Sequence, residues 1–552
     1  MPISGHDQLK ADPAYQALTG AGAEFEIVEE NVLGQRLPVF RQRHQSLIAL
    51  LLDSQKHGDN IFMVDGERRL SYRQHFEQVK SVARYLAETH GIAKGDRVAI
   101  FADNSIEWDA AFWAAQSLGA IVVAMNGWWT AQEFEHAWQL TTPRLLLGDG
   151  KRLARLNALE LGAPKIDMDS AFAPLYTRQA ELPETAINED DPALIMFTSG
   201  TTGRAKGALI SHRTEVGFTH CNRFATALGM AQWGMKLSDR PPGVTLGVAP
   251  FFHMSGVGGL MLQTRVMGDT VVLFKGRFEP DTLLAMIERE RVSTFTALGG
   301  MGPRIISCPT ASRYDLSSLT TLIFGGSPVP QSVQEGLRKI FPNAQATPAI
   351  GYGTTETGSV PVGFSGQAFI EHPTATGDMN VLHELEVRGE DGTVLPDGQD
   401  GLVWVRSAFN MLGYWNNPEA TAEIIDDKRW LCTGDIGRVE QGLLYINSRA
   451  RDMILRSAEN IYPAEIENRL DAHPQVKESA VYGVDDEIHG QAVKAVVVLN
   501  ELGSVSESEL GAWVGEALAG YKVPSHWRLT NEALPRNATG KVLKDQLRAQ
   551  DA

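Results

Sequence analysis

Short apolar segments recur through roughly the first 350 residues, and a stretch long enough for a helix separates most of them from the next. They read DRVAIFA, AIVVAM, RLLLGD, ALIMF, TLGVAPFF, DTVVLF, VSTFTAL and LTTLIFGG. Buried strands that are joined by helix-length crossovers pair in parallel, because each crossover returns the chain to the same end of the sheet. This alternation therefore predicts an α/β fold, with parallel-rich sheets and crossover helices in a large N-terminal domain.

The pattern changes near residue 384. The segment ELEVRGEDGTVLPDGQDGLVWVRS contains short strand-like runs and Asp-Gly turns, which favour a small antiparallel subdomain. After YINSRARD, a helix pattern begins at Pro463, and the strand patterns ESAVYGV and AVKAVVVLN follow it. We therefore predict two domains, an N-terminal domain over residues 1–448 and a small α+β domain over residues 449–552.

The charge balance limits the partners that this chain can have. The formal net charge is −17, from 67 acidic residues against 50 lysines and arginines. A nucleic acid needs a basic face to bind to, so we expect no nucleic-acid partner. An anionic small molecule would have to be held by local positive features. This composition suits a soluble enzyme.

Neither the cysteines nor the apolar segments indicate secretion or membrane insertion. Three widely separated cysteines provide no disulfide framework and no metal-ligand spacing. Polar residues interrupt the most apolar run, residues 110–129, which fits a buried helix that ends at Gly119 and a buried strand after it. The N-terminus has no apolar signal-peptide core. We therefore expect a cytoplasmic protein without stable membrane insertion.

The segment FTSGTTGRAKG, residues 197–207, follows a buried-strand pattern and predicts an anion-binding loop. Glycines let a backbone curl so that several N–H groups point into one concavity, where an anion binds. Hydroxyl groups of Thr198, Ser199, Thr201 and Thr202 can donate to phosphate oxygens, and Lys206 adds a point charge. The segment is not a Walker A loop, because glycine rather than serine or threonine follows the lysine.

A second candidate segment is GYGTTET, residues 351–357. Tyr352 offers a flat aromatic face on which a base can stack. Thr354 and Thr355 can hydrogen-bond a phosphate, and Glu356 provides the hard oxygen that Mg²⁺ prefers beside phosphates. A capped loop at a helix start would explain the same residues.

Other segments carry weaker signals when each is taken alone. His253 in APFFHMSG could line a ligand pocket, or it could be a structural histidine whose hydrogen bonds are made at the end of a strand. The glycines of FGGSPVP allow close approach of a ligand but also suit a simple turn. Asp435 in WLCTGDIG can accept two hydrogen bonds, as adjacent ribose hydroxyls require. Lys541 in LPRNATGKVLKDQLR would, by itself, be an ordinary surface lysine.

Taken together and in this order, these segments resemble the adenylate-forming superfamily, which includes acyl-CoA synthetases, peptide-synthetase adenylation domains and luciferases. The matching signatures span residues 198–544, and the likeness extends loosely over nearly the whole chain. The fatty-acyl-CoA ligase-like members are the most similar. Four positions depart from the usual family pattern, with Ala205 in place of proline, Arg451 at the hinge, and Ser457 and Ala458 in place of two glycines.

The resemblance implies a nucleotide site and a set of residues that form it. Lys541 would bridge the substrate carboxylate and the α-phosphate, His253 would lie at the acyl pocket, and Glu356 with Thr198 would help to hold Mg²⁺. The mobile C-terminal domain would turn on the hinge at Arg451, and Ala458 would face the pantetheine tunnel. The remaining residues implied to contact the nucleotide are Ser199, Gly200, Thr201, Thr202, Gly203, Lys206, Gly325, Gly326, Ser327, Tyr352, Gly353, Thr354, Thr355, Asp435 and Arg449.

The implied reaction activates a carboxylic acid with ATP to acyl-AMP and pyrophosphate, and then transfers the acyl group to CoA. Two alternatives stay open: a stand-alone ligase that loads a carrier protein, and a non-catalytic nucleotide sensor. Glycine and methionine in the implied acid pocket favour an aliphatic or alicyclic acid first and an aryl acid second. The sequence does not settle the oligomeric state, and a homodimer is one option.

Overall fold

The computed structural model describes residues 9–198, 205–298, 301–325, 329, 331–344, 348–456, 459–486, 490–537 and 540–551. Over these ranges the chain has the predicted mixed α/β architecture, with two large parallel-rich sheets, a small antiparallel sheet and a separate C-terminal sheet. The predicted fold class is therefore confirmed. The predicted domain boundary after residue 448 remains a prediction.

The first large sheet has seven strands in the described part of the chain. Its five strands from Pro192–Thr198 to Lys165–Asp167 are parallel to one another. At the other edge, Lys206–Ser211 pairs antiparallel with both Pro192–Thr198 and Gly413–Tyr414. The strand order is Gly413–Tyr414, Lys206–Ser211, Pro192–Thr198, Ile121–Ala124, Arg97–Phe101, Leu145–Gly148 and Lys165–Asp167.

The second large sheet has nine strands among the described residues, and the six in its middle are parallel. Antiparallel strands close it at both ends. The strand order is Asp378–Met379, Val362–Ser365, Pro348–Tyr352, Thr321–Gly325, Thr294–Leu298, Val244–Gly247, Thr270–Leu273, Ile61–Asp65 and Arg68–Ser71.

Helices cover the large sheets, and their ends follow local sequence signals. Tyr72–His90 begins with a capping box between Ser71 and Gln74 and ends at Gly91 in the left-handed conformation. The α-helices before residue 449 are Pro13–Thr19, Leu47–Asp53, Tyr72–His90, Ile106–Ser117, Ala131–Thr141, Gly150–Ala154, Met168–Ala171, His212–Gln232, Met254–Gly256, Gln263–Met267, Pro280–Glu290, Met301–Ile306, Gln331–Ile340, Gln367–Glu371 and Pro418–Ile424. The π-helix Val257–Leu262 lies between two of them.

The apolar run at residues 110–129 forms the predicted buried helix and strand. Every residue of helix Ile106–Ser117 is buried, Gly119 turns the chain with a φ of 67°, and Ile121–Ala124 lies within the first large sheet. Among the described residues, no helix has the length and apolarity that crossing a membrane requires.

The small antiparallel sheet contains the predicted Asp-Gly-rich segment. Its strands are His383–Arg388, Gly401–Ser407, Leu431–Glu440 and Leu443–Arg449, in that order. An N-terminal hairpin, Ile27–Val32 with Gln35–Phe40, was not predicted from the sequence. Its pairing depends on packing against helix His212–Gln232, which lies far along the chain.

The C-terminal sheet forms around the long strand Gly490–Leu499. That strand pairs with Ile454–Arg456, Val476–Asp486 and His526–Thr530, and Glu459–Ile461 pairs with Ile454–Arg456. Pro463 lies at the first position of helix Pro463–Asp471, as predicted, where its missing N–H costs nothing. The other helices of this part are Glu507–Gly515 and Lys544–Asp551.

A fully buried polar cluster joins three elements of the N-terminal core. His75, Asp109 and Arg265 all have 0% exposure, and Asp109 contacts His75 and forms an ion pair with Arg265 at 3.5 Å. Burial lowers the pKa of His75. The Arg265 guanidinium also lies 4.0 Å from the ring centre of Phe62. Removing one partner of such a buried pair leaves an uncompensated charge, so the cluster couples helices Tyr72–His90, Ile106–Ser117 and Gln263–Met267.

We expect Asp109→Asn to destabilise the chain by about 3–5 kcal/mol, because Arg265 would then be buried without its counter-charge. Thermal unfolding should show this as a Tm lower by several degrees. The matched control is Glu88→Ala, which breaks an exposed pair with Arg84 in one of the same helices and should cost about 0.3–0.5 kcal/mol. Equal small effects of both substitutions would contradict the structural role of the cluster.

Candidate active site

The predicted phosphate loop connects two neighbouring antiparallel strands. Thr198, at the end of Pro192–Thr198, lies opposite Lys206, the first residue of Lys206–Ser211. The His136 ring nitrogen Nε2 lies 3.2 Å from the Ala205 carbonyl oxygen at the end of the loop. The predicted loop residues Ser199, Gly200, Thr201, Thr202 and Gly203 lie outside the described residues. The structure thus brings the two ends of the loop together.

Tyr414 contacts Glu356, one of the two candidate metal ligands, although nothing in its local sequence singled it out. Its hydroxyl donates to Glu356 Oε1 at 2.8 Å. Burial, reinforced by the Glu356 charge, raises the pKa of Tyr414, and the nearby Thr198 side chain opposes this shift. The phenol therefore keeps its single proton, which it donates to Glu356.

The strand that carries Tyr414 is held directly against the loop strand. Trp415 N–H donates to the Gly207 carbonyl at 2.7 Å, and Leu412 N–H donates to Leu209 at 2.8 Å. A side chain at Gly207 would approach the Ile195 side chain to 2.8 Å, which explains the glycine. The Lys206 ammonium lies 5.0 Å from the Tyr414 ring centre, within the range of a cation–π contact.

The GYGTTET loop fixes the position of Glu356 through its own hydrogen bonds. Thr354 N–H donates to the Thr357 hydroxyl at 2.9 Å, and Thr357 N–H donates to the Thr354 hydroxyl oxygen at 3.2 Å. Met411 N–H donates to the Glu356 carbonyl at 2.9 Å. A side chain at Gly353 would collide with the Ser359 carbonyl, so the packing of the loop itself requires glycine at this position.

Two further predicted nucleotide contacts lie together. Tyr352 donates its hydroxyl hydrogen to Asp435 Oδ2 at 2.6 Å, and Asp435 is 5% exposed. Arg449 lies opposite Asp435 in the antiparallel pairing of Leu431–Glu440 with Leu443–Arg449. The side chain of Arg449 lies outside the described residues. An aromatic face, a carboxylate and an arginine position therefore meet at one end of the small sheet.

The FGGSPVP and GYGTTET segments are neighbours in the second large sheet. Gly325 pairs with Gly351 in a parallel register, so both segments leave the sheet at its carboxyl edge. Ligands of open α/β sheets bind at this edge, beyond the strand ends. Gly326 and Ser327 lie outside the described residues.

His253 is a neutral histidine in a partly buried position. Burial lowers its pKa to about 4, so the ring carries no charge near neutral pH. Its Nε2 atom is buried and has no hydrogen-bond partner among the described residues. Such an atom remains available to a bound molecule.

Lys541 lies in a tight turn of the C-terminal part. Its N–H donates to the Asn537 side chain at 2.9 Å, and Gly540 turns the chain with a φ of 80°. Arg536 donates to the Gly540 carbonyl at 2.6 Å and pairs with Glu478 of strand Val476–Asp486. The predicted Gly-Lys turn is therefore present and anchored to the C-terminal sheet. Ala458, the predicted tunnel residue, lies outside the described residues.

The oxygen ligands around Tyr414 suit Mg²⁺ that arrives with a nucleotide. Mg²⁺ is usually held by one or two carboxylates together with substrate phosphates and water, rather than by a full protein cage. Glu356 supplies one carboxylate and Thr198 one hydroxyl oxygen. The described residues contain no group of three or more histidine, cysteine or acidic side chains that could hold a metal alone.

Comparison with known proteins identifies the family of this chain. The AMP-binding enzyme family model matches residues 52–415, and the AMP-binding enzyme C-terminal domain model matches residues 465–541. The chain therefore belongs to the AMP-binding, adenylate-forming enzymes, and it resembles the acyl-CoA synthetases among them.

Individual relatives are similar over most of their length. The chain is 32% identical to feruloyl-CoA synthase of Amycolatopsis sp over 88% of this chain and 94% of the relative. It is 31% identical to a long-chain-fatty-acid–CoA ligase of Mycobacterium tuberculosis, over 87% and 93% respectively. The solved o-succinylbenzoate CoA synthetase of Bacillus subtilis, in complex with its acyl-adenylate intermediate, is 28% identical with a TM-score of 0.76, over 92% of this chain and 98% of that one.

We expect Tyr414→Phe to lower kcat/KM for ATP about 10- to 100-fold, because a hydrogen bond to a charged group contributes about 1.5–3 kcal/mol. Pyrophosphate release at varied ATP and Mg²⁺ concentrations measures this. The control Tyr445→Phe removes a phenol hydroxyl from strand Leu443–Arg449 and should leave these constants unchanged. Unaltered ATP and Mg²⁺ dependence in Tyr414→Phe would refute its organising role.

Proposed function

We propose that this protein is an AMP-forming acid–CoA ligase that activates a carboxylic acid in two half-reactions. In the first, the acid's carboxylate attacks the α-phosphorus of ATP, the bond to pyrophosphate breaks, and acyl-AMP forms. In the second, the thiol of CoA attacks the acyl carbonyl and AMP leaves. The hydrogen bond from Tyr414, on the strand beside the phosphate loop, to Glu356 of the GYGTTET loop is the observation that supports this assignment most strongly.

The first half-reaction brings two anions together, so the site must supply positive charge and fixed geometry. The loop backbone from residue 199 to 203 and the Lys206 ammonium would hold the phosphates of ATP. Glu356 and Thr198 would hold Mg²⁺, which neutralises charge that develops on the phosphates. Thr354 and Thr355 would contact the α-phosphate.

The nucleoside half of ATP would lie at the strand ends of the small sheet and the second large sheet. Tyr352 would lie along the adenine, and Gly325, Gly326, Ser327 and Gly353 would allow the base to approach the backbone. Asp435 and Arg449 would bind the ribose hydroxyls. The hydrogen bond from Tyr352 to Asp435 supports this proposal, because it fixes the base and ribose contacts relative to each other.

Lys541 would act only in the first half-reaction, where it bridges the carboxylate and the α-phosphate. In the second, the same side chain would obstruct the thiol. A hinge near residue 449 that lets residues 449–552 turn would remove it and present the segment around Ala458 to the pantetheine. The anchored turn of Lys541 supports this role, because the lysine would move together with the whole C-terminal sheet.

The acid is proposed to be an organic acid with an aliphatic or ring skeleton. His253, neutral and with an unpartnered Nε2, would contact the acyl end of the adenylate. The names of the relatives include feruloyl, long-chain fatty and 2-succinylbenzoate CoA ligases, and this range supports CoA as the acceptor while leaving the acid open.

Pyrophosphate release with a panel of aliphatic, alicyclic and aryl acids, with and without CoA, tests the assignment. We expect release with one class of acid and acyl-CoA formation when CoA is present. A thioester that forms only on a pantetheinylated carrier protein would indicate the carrier-loading alternative. Nucleotide binding without pyrophosphate release from any acid would indicate a sensor.

We expect Lys541→Ala to lower pyrophosphate release at least about 100-fold while sparing thioester formation from supplied acyl-AMP, since its charge is needed only where two anions meet. Lys544→Ala is the matched control, because Lys544 lies three residues away and pairs with Glu467 at 2.7 Å. Equal loss of both half-reactions in Lys541→Ala would contradict the proposed division.

A further inference from the structure

Helix His212–Gln232 packs against both the Glu356 loop, which the proposed function assigns to Mg²⁺ and the α-phosphate, and the segment after His253, which it assigns to the acyl group. It begins directly after strand Lys206–Ser211. A side chain at Gly358 would collide with Thr214, so the first turn of the helix packs beside the Glu356 loop. A side chain at Gly258 would approach the Phe218 ring to 2.9 Å, so the next turn packs against the segment after His253.

One face of this helix passes from the surface into the core and carries polar residues. Phe218, Thr219 and Asn222 lie three, four and seven positions after Glu215, so all four share a face. Ala225 and Gly229 farther along are exposed, Asn222 is half-buried, Phe218 is 7% exposed, and Glu215 is 0% exposed. Glu215 therefore lies at the deep end of this face.

The carboxyl group of Glu215 is buried without compensation. Neither of its oxygens has a hydrogen-bond partner among the described residues. Burial raises the pKa of Glu215 to about 8, so at neutral pH the group is mainly an uncharged carboxylic acid with one O–H to donate. An unsatisfied buried polar group is costly, so it calls for an explanation by function or by an unseen partner.

The opposite wall of this region is rich in glycine and has an unusual backbone. Residues Val257–Leu262 form a π-helix, a conformation that occurs often at functional sites. A side chain at Gly259 would meet no atom within 4 Å, so the segment borders open space. Gly259 borders this open space one residue after Gly258, which packs against Phe218 of helix His212–Gln232.

We propose that Glu215 determines substrate specificity by hydrogen-bonding a hydroxyl or carbonyl group on the carbon skeleton of the acid. This inference rests on the proposed function and narrows its substrate class to acids that carry a polar group besides the reacting carboxylate. A site built to hydrogen-bond such a group discriminates strongly against an analogue that lacks it, because its own polar group is then left unpaired.

The test compares pyrophosphate release for pairs of acids that match in size but differ in one hydroxyl or keto group. We expect the wild-type protein to favour the polar member. Glu215→Met should lower kcat/KM for that member about 10- to 100-fold and leave the apolar member unchanged or improved. Glu215→Gln, which keeps a donor and an acceptor, should retain most of the preference.

The control Glu107→Gln removes another buried carboxylate, which pairs with Arg68 at 2.6 Å in the N-terminal core. It should change thermal stability without changing the preference between paired acids. If Glu215→Met lowers the rate equally for both members, or leaves the preference intact, the proposal fails. If none of the acids tested makes the wild-type protein release pyrophosphate, the proposed ligase function fails instead.

A second measurement does not require that Glu215→Met fold or that turnover occur. Difference infrared spectroscopy on wild-type protein should show a protonated-carboxyl band that shifts when a polar acid binds and is absent from the spectrum of Glu215→Gln. Binding of the size-matched apolar acid should leave the band in place. A band that responds to neither acid, or to both equally, would overturn the proposal.

Discussion

The phenol of Tyr414 is the constraint on which the candidate site depends. Its raised pKa keeps the phenol protonated, and the hydroxyl donates its single proton in a hydrogen bond to the Glu356 carboxylate. The strand that carries Tyr414 pairs with the strand after the phosphate loop, so that strand and the acidic loop of the other large sheet are linked through one side chain. This link matters because the two loops come from different sheets and share few other hydrogen bonds among the described residues.

The sheets explain why the chemistry collects where it does. Parallel strands place their carboxyl ends at the same edge, and polar loops that follow them must therefore meet there. Gly325 and Gly351 leave the second large sheet side by side, and Thr198 leaves the first. Strand Gly413–Tyr414 runs in the same direction as Pro192–Thr198, because both pair antiparallel with Lys206–Ser211 between them. Tyr414 therefore lies at the end of its strand on this same edge.

The sequence predicted much of the fold and of the site, for reasons that are local. Strand runs such as ALIMF are apolar enough to be read directly, and the glycines of GYGTTET indicate a loop before any partner is known. Tyr414 could not be found in this way, because its partners Thr198 and Glu356 lie far from it along the chain. Glu215 was missed for the same reason: its burial depends on a helix face and on the π-helix opposite. The N-terminal hairpin likewise depends on distant packing.

The negative net charge of the protein means that anionic substrates must be bound by short-range contacts within the site. A chain of net charge −17 repels ATP and an organic acid at long range, so binding must come from close contacts in which burial strengthens each interaction. The Lys206 ammonium lies over the Tyr414 ring at the end of the loop. The raised pKa of Glu215 removes one negative charge near the same loops at neutral pH. In an acidic protein that must bring two anions together, a neutral buried acid avoids the repulsion that its ionised form would add.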